Sequence, residues 1–277
     1  MARVVTDSRV RWFIGDVRDG TRLRRAVAEV DYVVHAAALK HIDKCEYDPM
    51  EAVHTNVYGA RNVINAAIDC GVKKVLAISS DKAANPINLY GATKLCADKL
   101  FIAANAYSPK QTAFSVVRFG NFVGSRGSVI QHFRNLKDVG SDTLPITDHR
   151  MTRFFIRLPV AAETCIDIIQ KMRGGEIFTP KMPAFYMHRI AHHIHPGCTL
   201  ELCGIRPGEK ITEDLIIADD ACRTWDCGDL YVTMPKANDE RTDGFRVKDG
   251  FHYNSLDAAS DGTWGDLKEV LDGNDLL

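Results

Sequence analysis

Between Ser79 and Lys94 the chain concentrates hydroxyls, a carboxylate, an amine and a Tyr-x-x-x-Lys pair. Tyr90 and Lys94 are four residues apart, so on a helix their side chains share one face. An ammonium beside a phenol favours the phenolate and lowers the tyrosine pKa towards working pH, which would make Tyr90 a base. Asp81 and Lys82 add a second carboxylate and amine. Such a pair is ordinarily a solvated turn. Here it follows the apolar run Val75–Ile78, and open α/β sheets release their active-site residues at the carboxyl ends of buried strands.

These groups need a frame to hold them. The apolar run Arg11–Ile14, ending in Gly15-Asp16, reads as a strand, Thr21–Glu29 as a helix, and Asp31–His35 as a second strand leading into Ala36, Ala37 and Ala38. Asp48-Pro49 opens a long helix that Gly71 ends after Cys70, with proline in the first turn and glycine past the last. Val75–Ile78 is the third strand, the Tyr90 helix runs to about Asn105, and Phe114–Arg118 is the fourth strand. Glu163–Met172 reads as a helix stopped by Gly174-Gly175, and Glu176–Phe178 as a last short strand. Strands alternating with helices predict a parallel sheet covered on both faces. The alternation weakens after Gly120, which predicts a smaller second lobe. The polar stretch Lys236–Gly262, rich in Asp, Gly and Asn, predicts loops or partial disorder.

The 277 residues, 45% hydrophobic and 26% charged, suit a globular protein with one large domain and a lobe, or two domains. The formal net charge of −1 gives no reason to expect nucleic acid or an anionic membrane as partner. No apolar run approaches the roughly 20 residues of a membrane span, and the first residues carry no apolar signal core. A cytoplasmic location is expected. The eight cysteines then predict thiols rather than a disulfide framework. His188, His192, His193 and His195 precede Cys198, but without the tight cysteine spacing of common zinc sites. A surface helix ending at Pro196-Gly197 is the favoured reading there, and no metal is expected.

Five segments occur in a consistent order: Phe13–Asp19 (Phe-Ile-Gly-Asp-Val-Arg-Asp), His35–His41, Asp81–Lys94, Arg118–Asn121 and Ile205–Lys210 (Ile-Arg-Pro-Gly-Glu-Lys). Together they resemble the inverting UDP-N-acetylglucosamine 4,6-dehydratases of pseudaminic acid biosynthesis, within the extended short-chain dehydrogenase/reductase superfamily. The resemblance runs from about Arg11 to Ile216, and more weakly beyond. It implies an α/β fold: a Rossmann-like parallel sheet, N-terminally truncated, with a smaller C-terminal substrate lobe. The expected division is 1–127 with about 154–180 for the NADP-binding part, and about 128–153 with 181–277 for the substrate lobe and tail. The family's first strand, its G-x-G-x-x-G turn, the following helix and the second strand have no counterpart before Arg11. Ser80 stands where the family usually has threonine, which keeps the hydroxyl.

The resemblance implies oxidation of the sugar at C4 with NADP as hydride acceptor, loss of the C5 proton and the C6 hydroxyl as water, and return of hydride to C6. Reprotonation of C5 on the opposite face inverts that centre. Tyr90 would be the C4 base and Lys94 its partner and a ribose ligand. Asp81 would be the acid for the C6 oxygen, Lys82 the base at C5, and Ser80 a hydrogen-bond donor to the sugar. Ala36, Ala37, Ala38, Lys40, Asn56 and Ser79 would surround the cofactor, with Asp16 and Val17 bordering its adenine. Lys40, Asn121, Thr147, Arg153, Arg206 and Glu209 would hold UDP-N-acetylglucosamine: guanidinium forks match diphosphate oxygens, and a carboxylate accepts from ribose hydroxyls. A homo-oligomer is also expected.

Two other readings are open. A nucleotide-sugar 4-epimerase or a C5-retaining dehydratase would share Tyr-x-x-x-Lys. An epimerase needs no Asp-Lys couple, however, and retaining dehydratases typically carry Asp-Glu there. A chain without the glycine loop could instead be an inactive fragment or an assembly partner.

Overall fold

The computed structural model describes residues 7–108, 112–125, 127–261 and 264–272. Its main sheet starts with four parallel strands: β1 (Tyr32–His35), β2 (Lys74–Ser80), β3 (Ala113–Phe119) and, after intervening elements, β7 (Ile177–Pro180). β2 and β3 are apolar runs buried on both faces, as interior parallel strands must be. Alternation along β2 sends Val75 and Ala77 to one core and Leu76 to another. The first core is closed by α1 (Gly20–Val27), α4 (Gly59–Cys70) and α5 (Leu89–Ala104). α7 (Leu158–Lys171) supplies Ala161, Cys165 and Ile168 to the second.

The helix expected from Asp48 to Cys70 is present as one run with a π-helical stretch inside it, and a separate short helix precedes it. α2 (Ile42–Tyr47) is followed by α3 (Pro49–Ala52), a π-helical turn at Val53–Tyr58, and then α4. Gly71, at φ +73°, ends α4 by donating to the Ala67 and Ile68 carbonyls. A π turn is a wide turn often found at functional sites, and this one carries Asn56. Arg11–Ile14 is not a strand. No described strand lies beside it, Trp12 and Ile14 are exposed, and Arg22 covers Phe13 while donating to the Ile14 carbonyl.

The second lobe contains β4 (Asn121–Phe122), β5 (Thr143–Ile146), β6 (Thr152–Ile156), β8 (Ala184–Tyr186) and β9 (Thr199–Leu202). These form a β4–β6–β8 sheet and a parallel β5–β9 pair. α6 (Val129–Asp138) and α8 (Met187–Ile194) close a separate core around Phe133, Leu144, Phe155 and Ile190. β7 is not the last strand. β10 (Asp214–Ile216) pairs with β14 (Tyr253–Asn254). β11 (Thr224–Asp226), β12 (Leu230–Thr233) and β13 (Phe245–Arg246) extend the main sheet antiparallel beyond β7. Residues 224–246, assigned by sequence to the smaller lobe, therefore continue the larger one.

The Lys236–Gly262 stretch is also more ordered than its composition suggests. Arg241 is buried within it, paired with Asp243 and close to Glu176, and α9 (Ser255–Asp261) follows β14. Strands of two to four residues are too short to show a period, so composition alone misled here. The last described helix, α10 (Trp264–Asp272), adds Leu267 and Leu271 to the core around Phe133 and Phe155.

Candidate active site

At the carboxyl ends of β2 and β3, the two lobes enclose a cleft of about 1210 Å³. β2 delivers Ser79 and Ser80 to it, and a 3-10 turn, Asp81–Ala83, follows at once. Ser80 makes that turn. Its Oγ accepts from the Lys82 backbone N–H at 3.1 Å and donates to Asp81 Oδ1 at 2.7 Å. Lys82 Nζ donates to the same carboxylate oxygen at 3.0 Å and lies 3.5 Å from Glu213 Oε1. Asp81 is fully buried behind Ser80 and Lys82 and does not itself line the cleft, and its Oδ2 has no partner. Burial, the largest single influence on Lys82, disfavours its charge. The carboxylates of Asp81 and Glu213 outweigh burial and the nearby Arg153, and hold the amine above the ordinary lysine range.

Tyr90 and Lys94 sit on α5, whose start is capped by Asn88 accepting from the Gly91 N–H at 2.8 Å. Gly91 lets this helix lie against the 81–83 turn, because a Cβ there would run into the Lys82 carbonyl and reach Pro86 at 3.0 Å. The expected charge coupling between Tyr90 and Lys94 takes a different form. Burial raises the Tyr90 pKa, and the opposing influences are the Lys82 charge and a hydrogen bond with Ser80. Lys94 instead donates to the Ile78 carbonyl at 2.7 Å. Burial lowers its pKa, and Asp98, one turn further along and held by Arg118 at 3.2 Å, partly restores it. His35 lies nearby, its ring tilted against that of Phe101; burial and the Lys94 charge push its pKa down to about 3.

The nicotinamide-ribose end of a dinucleotide fits what is present. Ala36 and Ala38 form a floor of small residues, Lys40, Tyr90 and Lys94 line the same cleft, and Ser79 Oγ is a buried polar atom without a partner. Ala37 does not line the cleft. Asn56 lies behind it, with Oδ1 accepting from Leu39 N at 2.8 Å and Nδ2 donating to Leu39 O and Thr93 Oγ1, each at 2.9 Å. It therefore clamps the 36–41 segment to α5. Asp16 and Val17 are not brought to the cleft either. Asp16 is bonded to Arg18, which holds its carboxyl down at about 2, and Val17 packs against α4.

On the substrate side, Asn121, Thr147, Arg153, Arg206 and Glu209 all line the cleft. Arg206 is exposed and within reach of Glu209, which also accepts from Thr147 at 3.3 Å. Arg153 differs from the expected free fork. Its guanidinium donates to the carbonyls of Thr152, Ile211 and Lys210 and lies 3.8 Å from Glu213, so its bonds serve the site's own framework. Glu213 was missed by sequence reasoning. A glutamate in a polar stretch carries no local signal, and only the fold shows it buried beside Lys82.

The histidines before Cys198 do not converge. His188 bonds to the His149 carbonyl, His192 approaches Cys198 at 3.7 Å, and α8 buries Met187, Ile190 and Ile194. Among the described residues, no group of three or more side chains is placed to hold a metal, and no helix is long and apolar enough to cross a membrane.

A family profile described as "Polysaccharide biosynthesis protein" matches residues 2–235. The chain belongs to this family. It is 47% identical, over 98% of its own length and 84% of the relative's, to the UDP-N-acetylglucosamine 4,6-dehydratase (inverting) of Campylobacter jejuni. It is 39% identical to the UDP-glucose 4-epimerase of Rickettsia prowazekii, over 83% of this chain and 69% of that one. Among solved structures, Pen from Bacillus thuringiensis matches with a TM-score of 0.89 and 36% identity, covering 98% of this chain and 84% of that one.

Proposed function

We propose that this chain carries the catalytic centre of an inverting 4,6-dehydratase acting on UDP-N-acetylglucosamine with a nicotinamide cofactor, NADP being the form the family resemblance implies. The observation that carries the reading is the Asp81–Lys82 couple: Lys82 lines the same cleft as Tyr90, and Asp81, buried just behind, is bonded to Lys82 and to Ser80, which in turn bonds Tyr90. Hydride transfer at C4 needs one base. Removing water across C5 and C6 needs a second acid and a second base.

When bound, the nicotinamide supplies a hydride acceptor and donor that is regenerated each cycle. Tyr90 takes the C4 hydroxyl proton, its phenolate favoured by Lys82 and Ser80. Asp81 and Lys82 share one proton; its transfer from the ammonium to the carboxylate leaves a neutral amine and a neutral acid. Lys82 then accepts the C5 proton and Asp81 protonates the departing C6 oxygen. The C5–H and C6–O bonds break, the C5=C6 bond forms, water leaves, and the couple regains its starting charges. Ser79, Ala36, Ala38 and Lys94 would hold the nicotinamide ribose. Arg206, Glu209, Thr147 and Asn121 would hold the nucleotide sugar, and Lys40, which lines the same cleft, would reach the substrate or the cofactor. A charged nucleotide-sugar substrate is consistent with a cytoplasmic reaction, and the product would feed a surface polysaccharide.

The epimerase relative makes 4-epimerisation the second reading, since it would use Tyr90 and Lys94 alone. Proton NMR of the product decides between them. A new 6-methyl signal is expected, a doublet in ordinary water that collapses to a singlet in deuterium oxide as solvent deuterium enters C5. An unchanged 6-hydroxymethyl group with inverted C4 would overturn the dehydratase reading. Calorimetry with NADP measures whether this chain holds the cofactor. Failure to bind, with no product, would favour the assembly-partner reading.

A further inference from the structure

Glu213 is only 2% exposed, yet it lines the reaction cleft. Its position is fixed from another part of the chain. Its N–H donates to Ser255 Oγ at 2.9 Å, and its carbonyl accepts from the Ser255 N–H at 2.8 Å. Ser255 Oγ in turn pairs with Thr152 Oγ1 at 2.8 Å. This knot delivers the carboxylate to three cations without a short bond to any of them. Oε1 lies 3.5 Å from Lys82 Nζ and 3.8 Å from Arg153 Nε, and Oε2 lies 3.7 Å from Lys210 Nζ. Oε2 is buried with no hydrogen-bond partner. At these separations the carboxylate acts through its charge more than through directed bonds. The charged and titratable groups facing Lys82 are Asp81 on its own turn, Glu213 ahead of β10, Arg153 of β6, Tyr90 of α5 and Lys40 after β1.

We propose that Glu213 is a positioning residue for the Asp81–Lys82 couple: its charge holds the Lys82 ammonium between two carboxylates and keeps the proton on it until substrate binds, so that Glu213 sets how much neutral amine is available at C5. Asp81 alone would hold Lys82 against the 81–83 turn. Glu213, from a distant segment, adds a second carboxylate 3.5 Å from Nζ, so the amine is held between two carboxylates at the lining of the cleft. Arg153 and Lys210 also face Glu213, so its carboxylate is not committed to Lys82 alone when the couple shifts its proton to Asp81. The catalytic meaning rests on the dehydratase reading; the effect on Lys82 does not.

The test is trace acetylation with acetic anhydride at about pH 8, which modifies only neutral amines. Mass spectrometry would compare Lys82 with exposed Lys99 and with Lys94 in the same cleft. Glu213→Gln is expected to raise Lys82 labelling about tenfold or more, the result of a fall of about one pH unit in its pKa, with Lys94 unchanged. Glu213→Asp, which keeps the charge, should stay near the parent level. A purely structural role would instead raise Lys82 and Lys94 labelling together, in both variants, and would overturn the proposal. So would unchanged Lys82 labelling in a folded Glu213→Gln chain. If that variant does not fold, Lys210→Met serves: freeing Glu213 from its competing cation should lower Lys82 labelling, and a rise refutes the idea. Product NMR separates the two levels. A methyl product with unmoved labelling sinks the Glu213 role and leaves the dehydratase standing; moved labelling with no methyl product does the reverse.

Discussion

Gly91→Ala is a test of how closely the Tyr90 helix must approach the acid–base turn. A Cβ at position 91 would lie 3.2 Å from the Lys82 carbonyl carbon and 3.0 Å from Pro86 Cβ, and would overlap the Lys82 carbonyl oxygen. Ordinary carbon–carbon contacts are about 3.5–4.0 Å, so α5 and the turn must part by roughly 0.5–1 Å. Two effects compete. Alanine gains at most about 0.5–1 kcal/mol over glycine, the helix-interior figure, and Gly91 stands in the first turn of α5, whereas overpacking a close contact costs about 1–3 kcal/mol. The backbone carbonyl cannot swing aside as a flexible side chain could, so the clash wins, with a net loss of about 1–2 kcal/mol. The same displacement carries Tyr90 away from Lys82, and a misplacement of about 1 Å can cost about 100-fold in rate. Urea unfolding followed by circular dichroism would show the lower midpoint. Turnover followed by the product methyl signal should fall 10- to 100-fold with little change in KM, because the proposed nucleotide-binding residues lie on other elements. Gly20→Ala is the control, since its Cβ would meet Asn62 only at an ordinary 3.6 Å. A Gly91→Ala chain as stable as the parent, with full turnover, would refute the argument that this contact sets the site's geometry.

Three further outcomes follow from the same structure. Lys82→Ala should abolish water elimination, by about 10²–10⁴ or more, while C4 oxidation still registers as reduced-nicotinamide absorbance; full dehydratase turnover would remove Lys82 from the C5 role. Asn56→Ala deletes bonds to Leu39 N, Leu39 O and Thr93 and should cost about 2–3 kcal/mol in urea unfolding, at about 1 kcal/mol each; an unchanged midpoint would mean the clamp is dispensable. His35 is held neutral in the fold, with a pKa of about 3 against 6.5 ordinarily. The unfolded chain therefore binds the extra proton first, and stability present above about pH 6.5 drains away as pH falls towards 3. At about pH 5 the loss from His35 alone is about 2 kcal/mol. His35→Phe should flatten that part of the stability–pH curve, and an unaltered slope would assign it elsewhere.

Much of the parallel sheet could be read from the chain because β2 and β3 are apolar runs punctuated by Gly71, Asn88 and Gly120, and burial on both faces demands such runs. Arg11–Ile14 showed the limit of that reading. Its composition suits a strand, but a strand exists only where a neighbour offers hydrogen bonds. Likewise, β11, β12 and β13 are too short to show a period, and they acquire meaning only by pairing beyond β7.

The same division holds within the site. Local spacing by itself determined that Ser80, Asp81, Lys82, Tyr90 and Lys94 would stand together, because one strand end, one turn and one helix carry all of them. Only the tertiary structure decided how their charges balance. It faces Lys82 with Glu213, 131 residues further along the chain, turns Lys94 to the Ile78 carbonyl, and commits the Arg153 guanidinium to backbone carbonyls. Proton affinity depends on burial and on charges within a few ångströms, and those distances are set by packing between segments that share no sequence neighbourhood.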